Sequence, residues 1–182
     1  VSANLNPMNM GAGMPVMMDN MAAMLASRFN GSERGQTDNN VDWFTRASLN
    51  TRGDVTWYLG AARKTRSPSY QERYLWIPME STGGLADGKT YVGNPTLNPE
   101  VSHELELGFD LESGPWSVYP RVYYKSVDDF IQGTPATDPA TIAFAGAMAG
   151  MGMGDGAPLQ FSNVEARFLG MDVESSYRID DR

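Results

Sequence analysis

The stretch that decides the fold is GNPTLNPEVSHELELGFDLESGPWSVYPRVYYKSVDDFIQ, residues 93–132. Two alternating runs flank a tight Ser113-Gly114-Pro115 turn. The first places Val101, His103, Leu105, Leu107, Phe109 and Leu111 on one face, and Ser102, Glu104, Glu106, Gly108 and Asp110 on the other. The second places Trp116, Val118, Val122 and Tyr124 against Ser117, Arg121 and Lys125. A period of two is the signature of a strand with one apolar and one polar face. Each run exceeds the roughly 5–6 residues of an ordinary strand. It matches the about 9–11 residues that a tilted strand needs to cross a bilayer.

The same hairpin pattern recurs upstream. Val41, Trp43, Thr45, Ala47 and Leu49 alternate with polar positions up to a Gly-containing turn at residues 50–54, and Val55, Trp57, Leu59 and Ala61 continue after it. A last alternating run from about Val164 to Arg178 sets Leu169, Met171, Val173 and Tyr177 against Gly170, Asp172, Glu174 and Ser176. Short joins at 50–54 and 112–115 alternate with long ones at 67–99 and 132–160. Short turns on one side and long loops on the other are the arrangement of an outer-membrane barrel. The reading is therefore all-β: an antiparallel transmembrane β-barrel, of which these residues form an incomplete slice of about five long strands with long loops on one side. Five strands leave two bare edges, so the chain reads as part of a larger barrel. It opens at Val1 with neither an initiator Met nor a basic, apolar leader, which also suggests a piece or a processed product.

Composition narrows the function. No run approaches the ~18 apolar residues of a membrane helix, which leaves a barrel possible. The net charge of −8 argues against a nucleic-acid partner, whose phosphates call for a basic patch. With no cysteine and one histidine, His103, thiolate sites, His clusters and Cys nucleophiles fall away, and no Ser/His/Asp arrangement is possible beyond that one His. No Gly-rich phosphate loop follows a strand. The reading is not an enzyme, with no cofactor.

Methionine is the anomaly. Ten of the twelve lie in two segments. Residues 1–35 hold Met8, Met10, Met14, Met17, Met18, Met21 and Met24, with Met17, Met21 and Met24 at helical spacing from Pro15 to a stop at Gly31. The second long connection holds Met148, Met151 and Met153 in a Gly-rich tract, behind an Asp138-Pro139 helix start. Thioether sulfur is a soft ligand that selects Cu(I). Methionine is also a flexible filler, so packing of loops over a barrel mouth competes with metal capture for all ten. Met79 and Met171 are isolated and read as structural, Met171 on the lipid face. His103 reads as interfacial. Glu104, Glu106, Asp110, Asp172 and Glu174 read as a polar lumen rather than acid/base pairs. Trp57, Trp116 and Tyr177 fit an aromatic girdle by the short turns.

Five motifs in order make the chain similar to the C-terminal barrel of TonB-dependent outer-membrane receptors. They are an Asn-Pro-x-Leu-x-Pro-Glu strand entry (residues 94–100), Glu106-x-Gly108, Asp-Asp-Phe-Ile (residues 128–131), a later strand with Asn163-Val164, Ala166-Arg167 and Gly170-x-Asp172, and RKTRSPSYQERY (residues 63–74). In the later strand Asp172 stands where the family pattern has Glu. The likeness covers roughly residues 38–182, with 1–35 as a Met-rich extracellular loop of the same partial barrel domain. It implies a Gram-negative outer membrane with its lipid as partner. It also implies coupling to the TonB complex through a plug that lies outside these residues, and a metal ion or metal chelate as ligand. The methionines resemble the Met-rich copper branch, with copper as the transported ion. A siderophore or other chelate receptor is the alternative, and a non-transporting surface-binding barrel module is the alternative of another class.

Overall fold

In the computed structural model of the chain, residues 16–51, 53–80 and 87–179 are described. In chain order the elements are α1 (Val16–Gly31), β1 (Trp43–Thr51), β2 (Val55–Arg66), α2 (Tyr70–Tyr74), β3 (Met79–Glu80), β4 (Thr90–Val92), β5 (Glu100–Ser113), β6 (Trp116–Pro135), α3 (Pro139–Gly150) and β7 (Leu159–Tyr177). The strands form one sheet in the order β1-β2-β5-β6-β7-β4-β3, which does not close. The five long strands are those read from the sequence. Two corrections apply. The connection at 67–99 contains β3 and β4, and β4 pairs parallel with the start of β7, Tyr91 opposite Leu159. β7 therefore begins at Leu159 rather than near Val164: the Tyr91 ring stacks on Phe161 at 5.0 Å and extends the ladder.

The chain divides into two units. One, the strand unit, comprises residues 39–66, 99–130 and 164–182. Its register carries Ala47, Leu59, Leu107 and Val122 across four strands, and the next row carries Arg46, Gly60, Glu106 and Tyr123. Leu59 and Leu107 are more than half exposed, while the polar row is partly covered. This inverts the pattern of a sheet in water and fits one whose apolar face meets lipid. Met171 and His103 sit exposed with that apolar register. The carboxylates of the other face meet cations: Glu106 lies 3.6 Å from Arg46, Glu104 3.7 Å from Lys64, and Asp110 is bonded by Arg121. Pro120 has no N–H for the ladder. Arg121 fills the gap by donating to the carbonyls of Phe109 and Pro120, at 2.8 and 2.9 Å. Gly108 makes room for it, since a Cβ there would lie 2.4 Å from Arg121 Cδ. Beside the tight joins Trp57 packs on Phe109 and Trp116 on Tyr177, with centroids 5.0 and 4.8 Å apart. These rings sit where an aromatic girdle is expected.

The other, the loop unit, comprises residues 1–38, 67–98 and 131–163. It has an ordinary core. Met18, Ala22, Leu25, Ile77, Ala140 and Phe144 are buried together, and Tyr91, Leu97, Ile131 and Phe161 form a second cluster. The family-like motifs turn out to be its fastenings. Ser69 and Glu72 form a reciprocal capping box at α2. Arg73, 6% exposed, grips both oxygens of Asp38 at 2.7 and 2.8 Å and the Leu97 carbonyl at 2.9 Å. Asn94 turns its own loop through Thr96, and Asn98 and Asn163 exchange hydrogen bonds at 2.9 and 3.1 Å.

Candidate metal-capturing loops

The geometry starts from Asp138. Its carboxylate accepts from the Thr141 N–H and hydroxyl at 2.9 and 2.8 Å, and Pro139 follows as the first helical residue. Those contacts start α3, as the sequence predicts. Arg28, in the last turn of α1, pairs with the same carboxylate at 2.5 Å. Burial opposes ionisation of Asp138, but the bonds from Thr141 and Arg28 outweigh it and hold its pKa below the usual carboxylate value.

The end of α3 decides where its methionines go. The Met153 N–H donates to Met148 O at 3.0 Å and the Gly152 N–H to Ala149 O at 2.9 Å. That is a Schellman motif, with Gly152 at φ +80° in the left-handed position that favours glycine. The motif sets the residue after the glycine beside the residue five positions earlier, here Met153 and Met148. Asp155, just beyond, pairs with Lys89 at 3.3 Å and fixes the tract beside β4. Burial again opposes the charge of Asp155, and bonds from Ala157, Lys89 and Thr90 hold its pKa below the usual value. β4 is anchored in turn by Tyr91, whose hydroxyl donates to Asp87 at 2.7 Å. Burial, with Asp87 alongside, pushes the Tyr91 pKa up to about 12.

A half-open cavity of about 390 Å³ results, lined by Pro78, Met79, Glu80, Thr90, Ala145, Met148, Gly152, Met153 and Gly154. Met79 is thus not isolated, contrary to the sequence expectation. The β3–β4 pair sets Met79 opposite Tyr91 and Glu80 opposite Thr90, and a two-residue strand is too short to show alternation. The pairing of Met148 with Met153 did have a sequence signal, the Met-Ala-Gly-Met-Gly-Met order that the Schellman motif needs.

The predicted methionines divide by environment. Met8, Met10 and Met14 lie outside the described residues. On α1 the buried stripe is Met18, Ala22, Leu25, one residue out of phase with the expected Met17, Met21, Met24. Met18 is 1% exposed and Met17 62%; Met21 packs against the core edge. The shift arises because Ala22 and Leu25 bring the stripe its small and branched side chains, which fit against Phe144 and Ile77. Met24, Met151 and Met153 are exposed, and Met148 is half-buried against the core. Among the described residues no group of three or more His, Cys, Asp or Glu side chains is placed to hold a metal ion.

The sequence matches the family described as TonB dependent receptor-like, beta-barrel, over residues 17–180. The chain belongs to this TonB-dependent receptor family. Its members are outer-membrane proteins of Gram-negative bacteria, receptors and transporters rather than enzymes. Solved structures agree on the fold. The siderophore receptor PirA from Pseudomonas aeruginosa is 20% identical, with a TM-score of 0.56 over 72% of this chain and 24% of PirA. The copper transporter OprC is 21% identical, with a TM-score of 0.52 over 75% of this chain and 18% of OprC. A double mutant of the Serratia marcescens hemophore receptor HasR, in complex with its hemophore HasA and heme, is 16% identical, with a TM-score of 0.55 over 76% of this chain and 20% of HasR. The chain therefore spans about a fifth to a quarter of these receptors' lengths. No curated protein matches it in sequence.

Proposed function

We propose that this TonB-dependent receptor chain serves copper import, with methionine-rich loops capturing the ion outside the cell. The observation that carries the reading is the exposure of Met17, Met24, Met151 and Met153 in a loop unit that has no Cys or His. Apolar side chains left at a surface in such number are better accounted for by a soft ligand role than by packing, which Met18 and Met148 already supply. OprC, a protein of this fold, is a copper transporter, so the fold is compatible with the cargo. Import energised by the TonB complex through a plug outside these residues completes the proposal, with residues 1–35 as a Met-rich loop of a barrel domain that covers 38–182.

A siderophore or other chelate is the second reading. The strand unit favours it with a cavity of about 310 Å³ on which Lys64, Lys125, Phe130 and Phe168 converge beside the Arg66–Glu100 pair, suited to an anionic, ring-bearing chelate. Uptake decides between them. Cells whose copper import depends on the receptor are expected to lose most copper accumulation on deletion, while ferric-chelate uptake stays unchanged. Loss of chelate uptake alone would overturn the copper reading. Loss of neither would favour a surface-binding module.

A further inference from the structure

We propose that Met79, Met148 and Met153, together with Glu80, form one defined Cu(I) site in the cavity between β3 and the end of α3. The inference rests on the copper reading and gives it an address. Three thioethers from two elements distant in sequence line one space. Two of them are brought together by the Schellman motif, and the third by the β3–β4 ladder. Both walls are held to β4. Glu80 and Met79 are paired to it directly. The 152–156 tract is tied to it by Lys89–Asp155 and by the approach of Gly154 to Thr90, where a Cβ would lie 2.7 Å from Thr90 Oγ1.

The donor set matches one kind of ion. Thioethers are neutral and soft, which excludes hard cations and selects Cu(I). Three of them leave the ion's single charge uncompensated, and the Glu80 carboxylate supplies the opposite charge at the rim. The cavity is larger than a bare ion requires. Methionine has three rotatable side-chain bonds, and Met79 and Met153 are exposed enough to swing inward without backbone movement. Met17 and Met24 line no part of this cavity; they act as single surface donors that feed it.

The donors also fix a pH signature. A metal site loses affinity when protons compete for its ligands. Histidine ligands begin to do so near pH ~6.5, whereas thioethers hold no proton in water. Cu(I) affinity of this site stays level from about pH 8 to about pH 5.

The test titrates the intact receptor in detergent with Cu(I) against a chromogenic Cu(I) chelator. It compares wild type, Met79→Leu, Met148→Leu with Met153→Leu, and Met171→Leu, on the lipid face of β7, as the control. Leu for Met conserves volume and is tolerated in packing. The first two variants are expected to weaken binding tenfold or more, the control less than twofold, and Glu80→Gln a few fold. X-ray absorption of the Cu(I)-loaded wild type is expected to show three sulfur neighbours, a readout that does not depend on any variant folding. Wild-type Cu(I) binding that survives Met79→Leu and the Met148/Met153 pair unchanged removes this site and leaves the copper reading standing, whereas a first shell of nitrogen and oxygen removes both this site and capture by methionine. A wild type that binds no Cu(I) overturns both.

Discussion

The two units treat their apolar side chains in opposite ways. In the strand unit Leu59, Leu105 and Leu107 face outward while Glu104, Glu106 and Asp110 are tucked against Lys64, Arg46 and Arg121. In the loop unit Phe144 and Met18 are sealed inside, and the buried charge of Arg73 is paired with Asp38. One chain is built for two solvents. Hydrophobic burial is non-directional, so the side on which an apolar row sits is set by what surrounds it. Lipid supplies the cover for the strands that the loops must supply for themselves.

Single substitutions can break each half of that contrast. The largest effect is expected at Phe144, fully buried at the centre of the loop core. Phe144→Ala should cost about 3–5 kcal/mol of loop-unit stability. Hydrogen exchange in α1 and α3 should rise while β2 and β5 stay protected. Equal loss in both units would show that they unfold together and that the contrast is only apparent.

On the strand side Leu107→Arg should cost about 2–4 kcal/mol in urea unfolding from lipid vesicles, the penalty for a cation on the lipid face of a barrel. Glu104→Gln, three rows away on the polar face, should change stability by less than about 1 kcal/mol, since its partner Lys64 is well exposed. If the two substitutions cost the same, the assignment of faces is wrong. Between these in kind, Asp138→Ala tests the start of α3. It should cost about 1 kcal/mol and fray α3 without moving β7, as read by exchange of the first α3 amides.

The sequence made the strand unit legible because a two-residue period survives any tertiary context, and because the lipid face demands it along whole strands. Leu105, Leu107, Leu169 and Met171 could be placed from spacing alone. The loop unit was legible only where chemistry is local: Asp138-Pro139 announced α3, and Gly31 the end of α1. The phase of α1 was not, since four methionines and several alanines give no clear apolar edge until Phe144 and Ile77 select one. Met79 was missed because its position depends on a ladder with Tyr91 and a stack on Phe161, contacts that run across long stretches of chain. The motifs that revealed the family and lie in the loop unit tie its own segments together, so they report architecture and carry no information about cargo.

The smallest expected effect sharpens the contrast through pH. Four carboxylates of the loop unit have pKa values held below the ordinary 3.8: Asp38 and Asp87, mainly by hydrogen bonds from Arg73 and from Tyr91, and Asp138 and Asp155, where hydrogen bonds overcome burial. A depressed folded pKa contributes stability that is complete above the unfolded value and is lost as pH falls through the folded one. Nothing should therefore change from about pH 8 to about pH 5, and the loop unit should loosen only below pH ~4. Arg28 and Lys89 are more than half exposed, so their pairs contribute little, and Asp38–Arg73 should dominate. Pepsin, active in acid, can read the outcome. Cleavage within residues 133–158 should appear below pH ~4 while the strands stay intact in detergent, and Asp38→Asn should make the unit cleavable at higher pH and flatten its response. Loosening already above pH ~5 would instead show that these paired carboxylates do not set the stability of the loop unit.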